Sequence, residues 1–123
     1  MISFEKFEMQ EGIPIYLQIL QYIKRGVIAG DIQNEDELPS RRMLSVLLSV
    51  NPNTVQKAYH MLEEEGLIQS RAGAKSCMVI DDITVKRIRT ELLETDAKNA
   101  VTALKQMGVS KEEAFELMNK YWD

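Results

Sequence analysis

The chain reads as mainly α, in the α+β class. A winged helix-turn-helix domain is expected over residues 1–80, followed by a two-helix C-terminal dimerisation segment over 81–123. Three observations carry this reading. Two short helical patterns stand a few residues apart, each preceded by a polar residue suited to capping a helix. A pair of short strand candidates follows them and flanks a small, basic loop. Beyond these, apolar residues recur at helical spacing almost to the end of the chain.

Met1 to Gly12 is a mixed leader whose Ile2, Phe4, Phe7 and Met9 are apolar enough to pack, against a surface the sequence leaves open. Pro14 opens the first helix. Its apolar stripe is Ile15 or Tyr16, Ile19, Leu20, Ile23, Val27 and Ile28, and Gly30 ends it. Asp31 to Glu37 is acidic and turn-rich. Pro39-Ser40 then marks a second helix with Ser40 as its cap, running through Met43, Leu44 and Leu47. Leu48-Ser49-Val50 makes a brief turn into a third helix, the spacing of a helix-turn-helix. Asn51 can cap that helix, and Pro52 suits its first position, where a missing N–H costs nothing. The helix ends near Gly66. Leu67 to Arg71 and Cys77 to Ile80 are the strand candidates, and Ala72 to Ser76 the hairpin tip between them.

Projected at the helical repeat, Val55, Ala58, Tyr59 and Leu62 fall on one side of the third helix, and Asn53, Gln56, Lys57 and His60 on the other. The first set suits a core. The second suits a DNA major groove, because carboxamides pair bidentately with adenine and a lysine donates to guanine or phosphate, each good bidentate pair discriminating by about 1–3 kcal/mol.

Charge supports this placement. The formal net charge is -4, which argues against a protein that coats polyanions generally. From Leu38 to Ile80, however, the only acids are Glu63, Glu64 and Glu65, while Arg41, Arg42, Lys57, Arg71 and Lys75 supply positive charge. A surface that must approach phosphates needs such a distribution. Cys77 is the only cysteine and His60 the only histidine, so a disulfide, a Cys/His metal cluster and a Cys–His or Ser–His–Asp catalytic set are all disfavoured. No enzyme activity and no cofactor are expected. Glu5, Lys6, Glu8 and Glu11 interrupt the N-terminus, and no apolar run reaches membrane-spanning length. A soluble, cytoplasmic protein is the expectation.

Leu38-Pro39-Ser40-Arg41-Arg42, Asn51 to Tyr59, and Leu62-Glu63-Glu64-Glu65-Gly66-Leu67-Ile68 together resemble the DNA-binding domain of the GntR family of bacterial transcription regulators. Asn-Pro-Asn-Thr-Val followed by Ala-Tyr further resembles the YtrA-like branch, whose members carry only a short helical tail. The resemblance implies that Arg42 contacts DNA at the start of helix two. It also implies that Asn53, Thr54 and Gln56 are recognition-helix contacts and that Gly73 is the wing-tip glycine. Arg41, Asn51, Lys57 and Lys75 complete the expected DNA-binding set. Pro52 and Gln56 stand where other members present arginines, and Lys75 replaces a second wing glycine, so sequence preference should differ from those relatives. Lys75 can add a phosphate contact or alter the turn, since glycine tolerates backbone angles that lysine avoids.

Some residues have competing uses. Arg42 can instead form a surface ion pair with Asp31 or Glu35, generally worth about 0–1 kcal/mol. Thr54 can serve local capping. Glu63 to Glu65 read as a solvated helix end, Tyr59 as core and His60 as exposed.

Ile83 to Met107 is long enough for a helix of about 35 Å, with Gly108 as its end. Ser110-Lys111-Glu112-Glu113 is a capping-box pattern opening a last helix. Two helices cannot bury their apolar residues alone, and a segment this short usually needs outside support. A second copy is the simplest partner, with Ile88, Leu92, Leu93, Val101, Leu104, Phe115, Met118 and Trp122 forming the dimer contact; folding back onto the winged helix is the alternative. A symmetric dimer predicts an inverted-repeat operator in double-stranded DNA. The expected protein is therefore a homodimeric repressor whose effector, if one exists, the sequence does not identify. The competing function is a protein-interaction module whose C-terminal helices bind another protein.

Overall fold

A computed structural model of the chain describes residues 1–71 and 75–123. The element order is α1 (Ile15–Ala29), β1 (Glu37–Leu38), α2 (Arg41–Leu48), α3 (Pro52–Glu64), β2 (Ile68–Arg71), β3 (Lys75–Met78), α4 (Asp82–Gln106) and α5 (Lys111–Trp122). The chain divides into two compact units, Met1–Ile88 and Arg89–Asp123.

In the first unit α1 and α2 both pack on α3. Each helix stops where local chemistry stops it. Gly30 takes a left-handed φ of 84° after α1, a conformation glycine adopts without steric cost. Ser40 Oγ accepts the Met43 N–H at 3.1 Å and caps α2, leaving three residues, Ser49 to Asn51, before α3. The core comprises Ile19, Leu20, Ile23 and Val27 of α1, Leu44 of α2, and Val55, Ala58, Tyr59 and Leu62 of α3, closed by Leu67, Ile68 and Met78. Full burial of each large apolar side chain contributes about 1.5–3 kcal/mol.

The sheet order is β1-β3-β2, antiparallel throughout. β2 pairs Ile68 with Met78 and Arg71 with Lys75, so the hairpin forms as expected, but its second strand runs two residues earlier than the Cys77 to Ile80 expected from sequence. β1 was not anticipated. Glu37 and Leu38 lie opposite Cys77 and Ser76, and a two-residue strand carries no alternation to detect; it exists because β3 offers an open edge. The leader packs beside it. Ile2 N–H donates to Glu37 O at 2.7 Å, Phe4 stacks on Tyr22 with centroids 4.8 Å apart, and Tyr22 Oη donates to Ser3 O at 2.7 Å. Burial, with Asp31 and Glu5 nearby, pushes the Tyr22 phenol up. Met9, grouped with these residues in the sequence, stays exposed.

α4 begins at a cap the sequence reading did not single out: Asp81 Oδ1 accepts the Thr84 N–H at 2.8 Å, and that bond holds the carboxyl below its ordinary range. Gly108, with φ of 75°, ends the α4 turn. Ser110 Oγ then caps α5 through the Glu113 N–H at 3.2 Å. α5 buries none of its residues, although Phe115, Leu117, Met118, Tyr121 and Trp122 all lie along it. Val101, Leu104, Val109, Ala114, Phe115 and Met118 line an apolar groove of about 300 Å³. Among the expected dimer residues, Leu93, Val101, Phe115, Met118 and Trp122 are exposed and Leu104 is half-buried. Ile88 and Leu92 differ: a single chain already buries both, so their burial requires no second copy. Among the described residues no helix is long and apolar enough to cross a membrane.

Candidate nucleic-acid interface

α3 is the centre of the candidate site, and its two sides are fixed by different chemistry. Asn51 Oδ1 accepts the Asn53 N–H at 2.8 Å, and Pro52 occupies the first turn. The same Asn51 also receives the Thr54 N–H on its carbonyl at 2.9 Å, so Asn51 supplies the side-chain cap and half-buried Thr54 contributes its backbone. Val55, Ala58, Tyr59 and Leu62 are all 0 % exposed. Tyr59 Oη donates to Pro39 O at 2.6 Å, tying the middle of α3 to the residue just before the α2 cap. Burial raises the Tyr59 phenol far above its ordinary range, against the opposing effect of the Arg41 guanidinium. Asn53, Gln56, Lys57 and His60 are exposed on the other side.

The cations around this face are not equivalent. Arg41 is half-buried, with its guanidinium 5.1 Å from the Tyr59 ring centroid and 3.6 Å from Glu63 Oε1; its first duty is to hold α2 on α3. Lys57 Nζ lies 4.0 Å from the Tyr16 ring centroid. Arg71 faces Glu35 at 3.4 Å and Lys75 faces Glu37 at 3.3 Å, both exposed pairs of the kind worth about 0–1 kcal/mol, from which a phosphate can draw the cation. The Arg42 side chain is exposed and, among the described residues, makes no ion pair. The alternative pairing of Arg42 with Glu35 is thus replaced by Arg71. Gly73 lies outside the described residues.

The acids at the end of α3 divide. Glu64 is exposed, as a solvated helix end requires, whereas Glu63 and Glu65 are half-buried. Glu63 Oε1 accepts from Ser70 Oγ at 2.6 Å as well as facing Arg41. Glu64 faces His60 at 3.0 Å. Glu65 takes the Lys24 ammonium of α1 at 2.8 Å, and its carbonyl accepts from Arg87 at 3.4 Å. Glu63 and Glu65 are thereby held by groups from α1, α2 and β2, whereas exposed Glu64 stands with His60 at the C-terminal end of the outward face, beyond Asn53, Gln56 and Lys57.

This fold, a helix-turn-helix with a three-stranded wing and an exposed polar face on α3, has counterparts among known proteins. The family model for bacterial regulatory proteins of the gntR family matches residues 15–76, and the HTH-type transcriptional repressor YtrA of Bacillus subtilis is 34% identical over 110 residues, spanning 83% of this chain and 85% of that protein. The chain belongs to the GntR family. It is a DNA-binding transcriptional regulator of the YtrA-like kind. The uncharacterised HTH-type transcriptional regulator YhcF of Bacillus subtilis is 33% identical over 114 residues, covering 89% of this chain and 90% of YhcF. Among solved structures, a GntR family transcriptional regulator from Listeria monocytogenes superposes with a TM-score of 0.78 at 28% identity, covering 91% of this chain and 98% of that one.

Within this GntR domain, two residues escaped the sequence reading. Lys24 was passed over although it falls four residues after Leu20 on the apolar stripe; it is 7 % exposed, and a lysine inside such a stripe signals either a buried ion pair or a snorkelling chain. Spacing leaves either Ile15 or Tyr16 to open the apolar stripe, and the signal for the Tyr16 contact with Lys57 is absent from local sequence, because the two stand on different helices.

Proposed function

We propose that this GntR regulator is a cytoplasmic homodimeric repressor that reads an inverted-repeat operator through α3, Arg42 and the wing. The observation that carries the reading is the two-sidedness of α3. Its inner side is wholly buried, which fixes the helix on the core, while its outer side offers two carboxamides and a lysine over its first two turns, its one exposed acid, Glu64, lying at the far end against His60. Asn53 and Gln56 have the donor–acceptor pairs that match adenine in the major groove. Arg42 and Lys75 supply phosphate contacts that set register without reading sequence, and Asn51 keeps its amide N–H groups for DNA while its oxygen caps α3. Thr54 and Arg41 stand at the edge of this set, the latter already engaged with Glu63 and Tyr59. Similarity to a protein named as a repressor supports the direction of regulation.

The dimer rests on α5. A helix with Phe115, Met118 and Trp122 exposed and nothing buried is a surface awaiting cover, and a second copy brings two α3 helices to one face of DNA. Two measurements test the proposal. Arg42→Ala and Gln56→Ala should each weaken binding to the DNA upstream of the protein's own gene, with protection appearing in two symmetric halves; unchanged binding in both variants means α3 is not the reading helix. Met118→Glu with Phe115→Glu should convert a dimer to a monomer in analytical ultracentrifugation. A wild-type monomer in that experiment points instead to a different protein as the partner of the tail.

A further inference from the structure

The Lys57 ammonium stands 4.0 Å from the centroid of the Tyr16 ring. Tyr16 is the second residue of α1 and half-buried, whereas Lys57 is exposed on α3. A cation at this distance over a ring face is attracted by the ring quadrupole, and at exposed sites the attraction amounts to about 0.5–1 kcal/mol. That is enough to bias a flexible lysine, whose four-carbon stem otherwise samples many rotamers.

The direction of the bias matters more than its size. Consecutive residues are about 100° apart around a helix, so Gln56 and Lys57 leave the exposed face in different directions. The Tyr16 contact draws the Lys57 ammonium sideways, toward α1. In a groove, base edges form the floor and phosphates line the walls. A cation drawn to the edge of a recognition face, toward a neighbouring helix, meets a wall. We infer that Tyr16 is a positioning residue that aims Lys57 at a phosphate beside the groove, leaving base reading to Asn53 and Gln56. This rests on α3 being the DNA-reading helix, as proposed above. It separates Lys57 from the base readers, whereas sequence alone leaves guanine and phosphate as equal partners for it.

The experiment is a double-mutant cycle with the full-length protein on the tightest duplex recovered from a randomised library, together with its single base-pair variants, over a series of salt concentrations. Lys57→Met should weaken every duplex in the same proportion and reduce the slope of log affinity against log salt by about 0.9 for each lysine lost. Tyr16→Leu should weaken binding about two- to fivefold, and should cost nothing further once Lys57 is methionine. Tyr16→Phe, which keeps the ring, should bind as the wild type does and shows that a loss in Tyr16→Leu comes from the missing ring. The assignment is overturned if Lys57→Met changes preference at one base pair, if it leaves affinity and salt slope unchanged, or if Tyr16→Leu costs the same in both backgrounds. Gln56→Ala keeps the two levels apart: if it weakens binding while Lys57→Met does not, only the Tyr16–Lys57 assignment falls, and if neither has an effect, α3 itself is not the reading helix.

Discussion

Tyr59→Phe removes one oxygen from the centre of the DNA-binding unit and leaves the ring in place. The lost group donates at 2.6 Å to Pro39 O, and both residues are fully buried. A net hydrogen bond is worth about 0.5–1.5 kcal/mol, and a buried carbonyl left without its donor costs about 1–3 kcal/mol. The Arg41 contact with the ring face survives the change, so the expected loss is about 1–2 kcal/mol. Urea unfolding followed by circular dichroism at pH 8 measures it. A second reading comes from pH. The folded phenol titrates well above its ordinary value of 10.0, whereas the unfolded phenol ionises near that value. The folded state therefore keeps a proton the unfolded state gives up, and this contribution to stability is complete below pH 10 and is lost as pH rises beyond it. Phenylalanine has no such loss. Between pH 8 and about pH 11 the stability gap between wild type and Tyr59→Phe should shrink by about 1.4 kcal/mol, while the other titrating groups cancel in the difference. A gap that stays constant over this interval, or a variant as stable as the wild type at pH 8, refutes the buried donor.

Two further predictions concern other parts of the same unit. Glu65→Gln should cost more stability than Lys24→Met, because the first strands an ammonium whose side chain is 9% exposed and the second strands a carboxylate that is 34% exposed; about 1–3 kcal/mol is expected for Glu65→Gln after allowing for that exposure, and chemical denaturation of both variants gives the order. Ser49, which ends α2 at φ of 54°, pays the steric cost of a left-handed conformation, so Ser49→Gly should raise stability by up to about 1 kcal/mol. A lower melting temperature for Ser49→Gly contradicts this account of the turn.

The helices and their stops were legible in the sequence because capping and periodicity act over a few residues. Ser40, Asn51 and Ser110 each cap the helix they precede, and the inward set of α3 is buried as its spacing requires. The outward set was equally legible, since a residue opposite a packed stripe must face solvent or a ligand. What escaped the sequence depends on chain segments far apart. β1 owes its existence to the open edge of β3, far along the chain, where Glu37 meets Cys77 and Leu38 meets Ser76, and the leader finds its partners in Tyr22 and Glu37.

Charge shows the division most clearly. Composition alone located an acid-free stretch from Leu38 to Leu62 and a nearby run of three glutamates, which was sufficient to propose where DNA is met. Side-chain partners were decided only by packing: Glu63, Glu64 and Glu65 turn to Arg41, His60 and Lys24, and Lys57 turns to Tyr16. Long charged side chains reach several ångströms in many directions, so their choice of neighbour is made by whichever elements the fold brings within that reach. Helix identity, capping and the buried face of α3 follow from short-range rules and were written in the residues; the aim of each cation, and the apolar surface that α5 leaves uncovered, belong to the assembled structure.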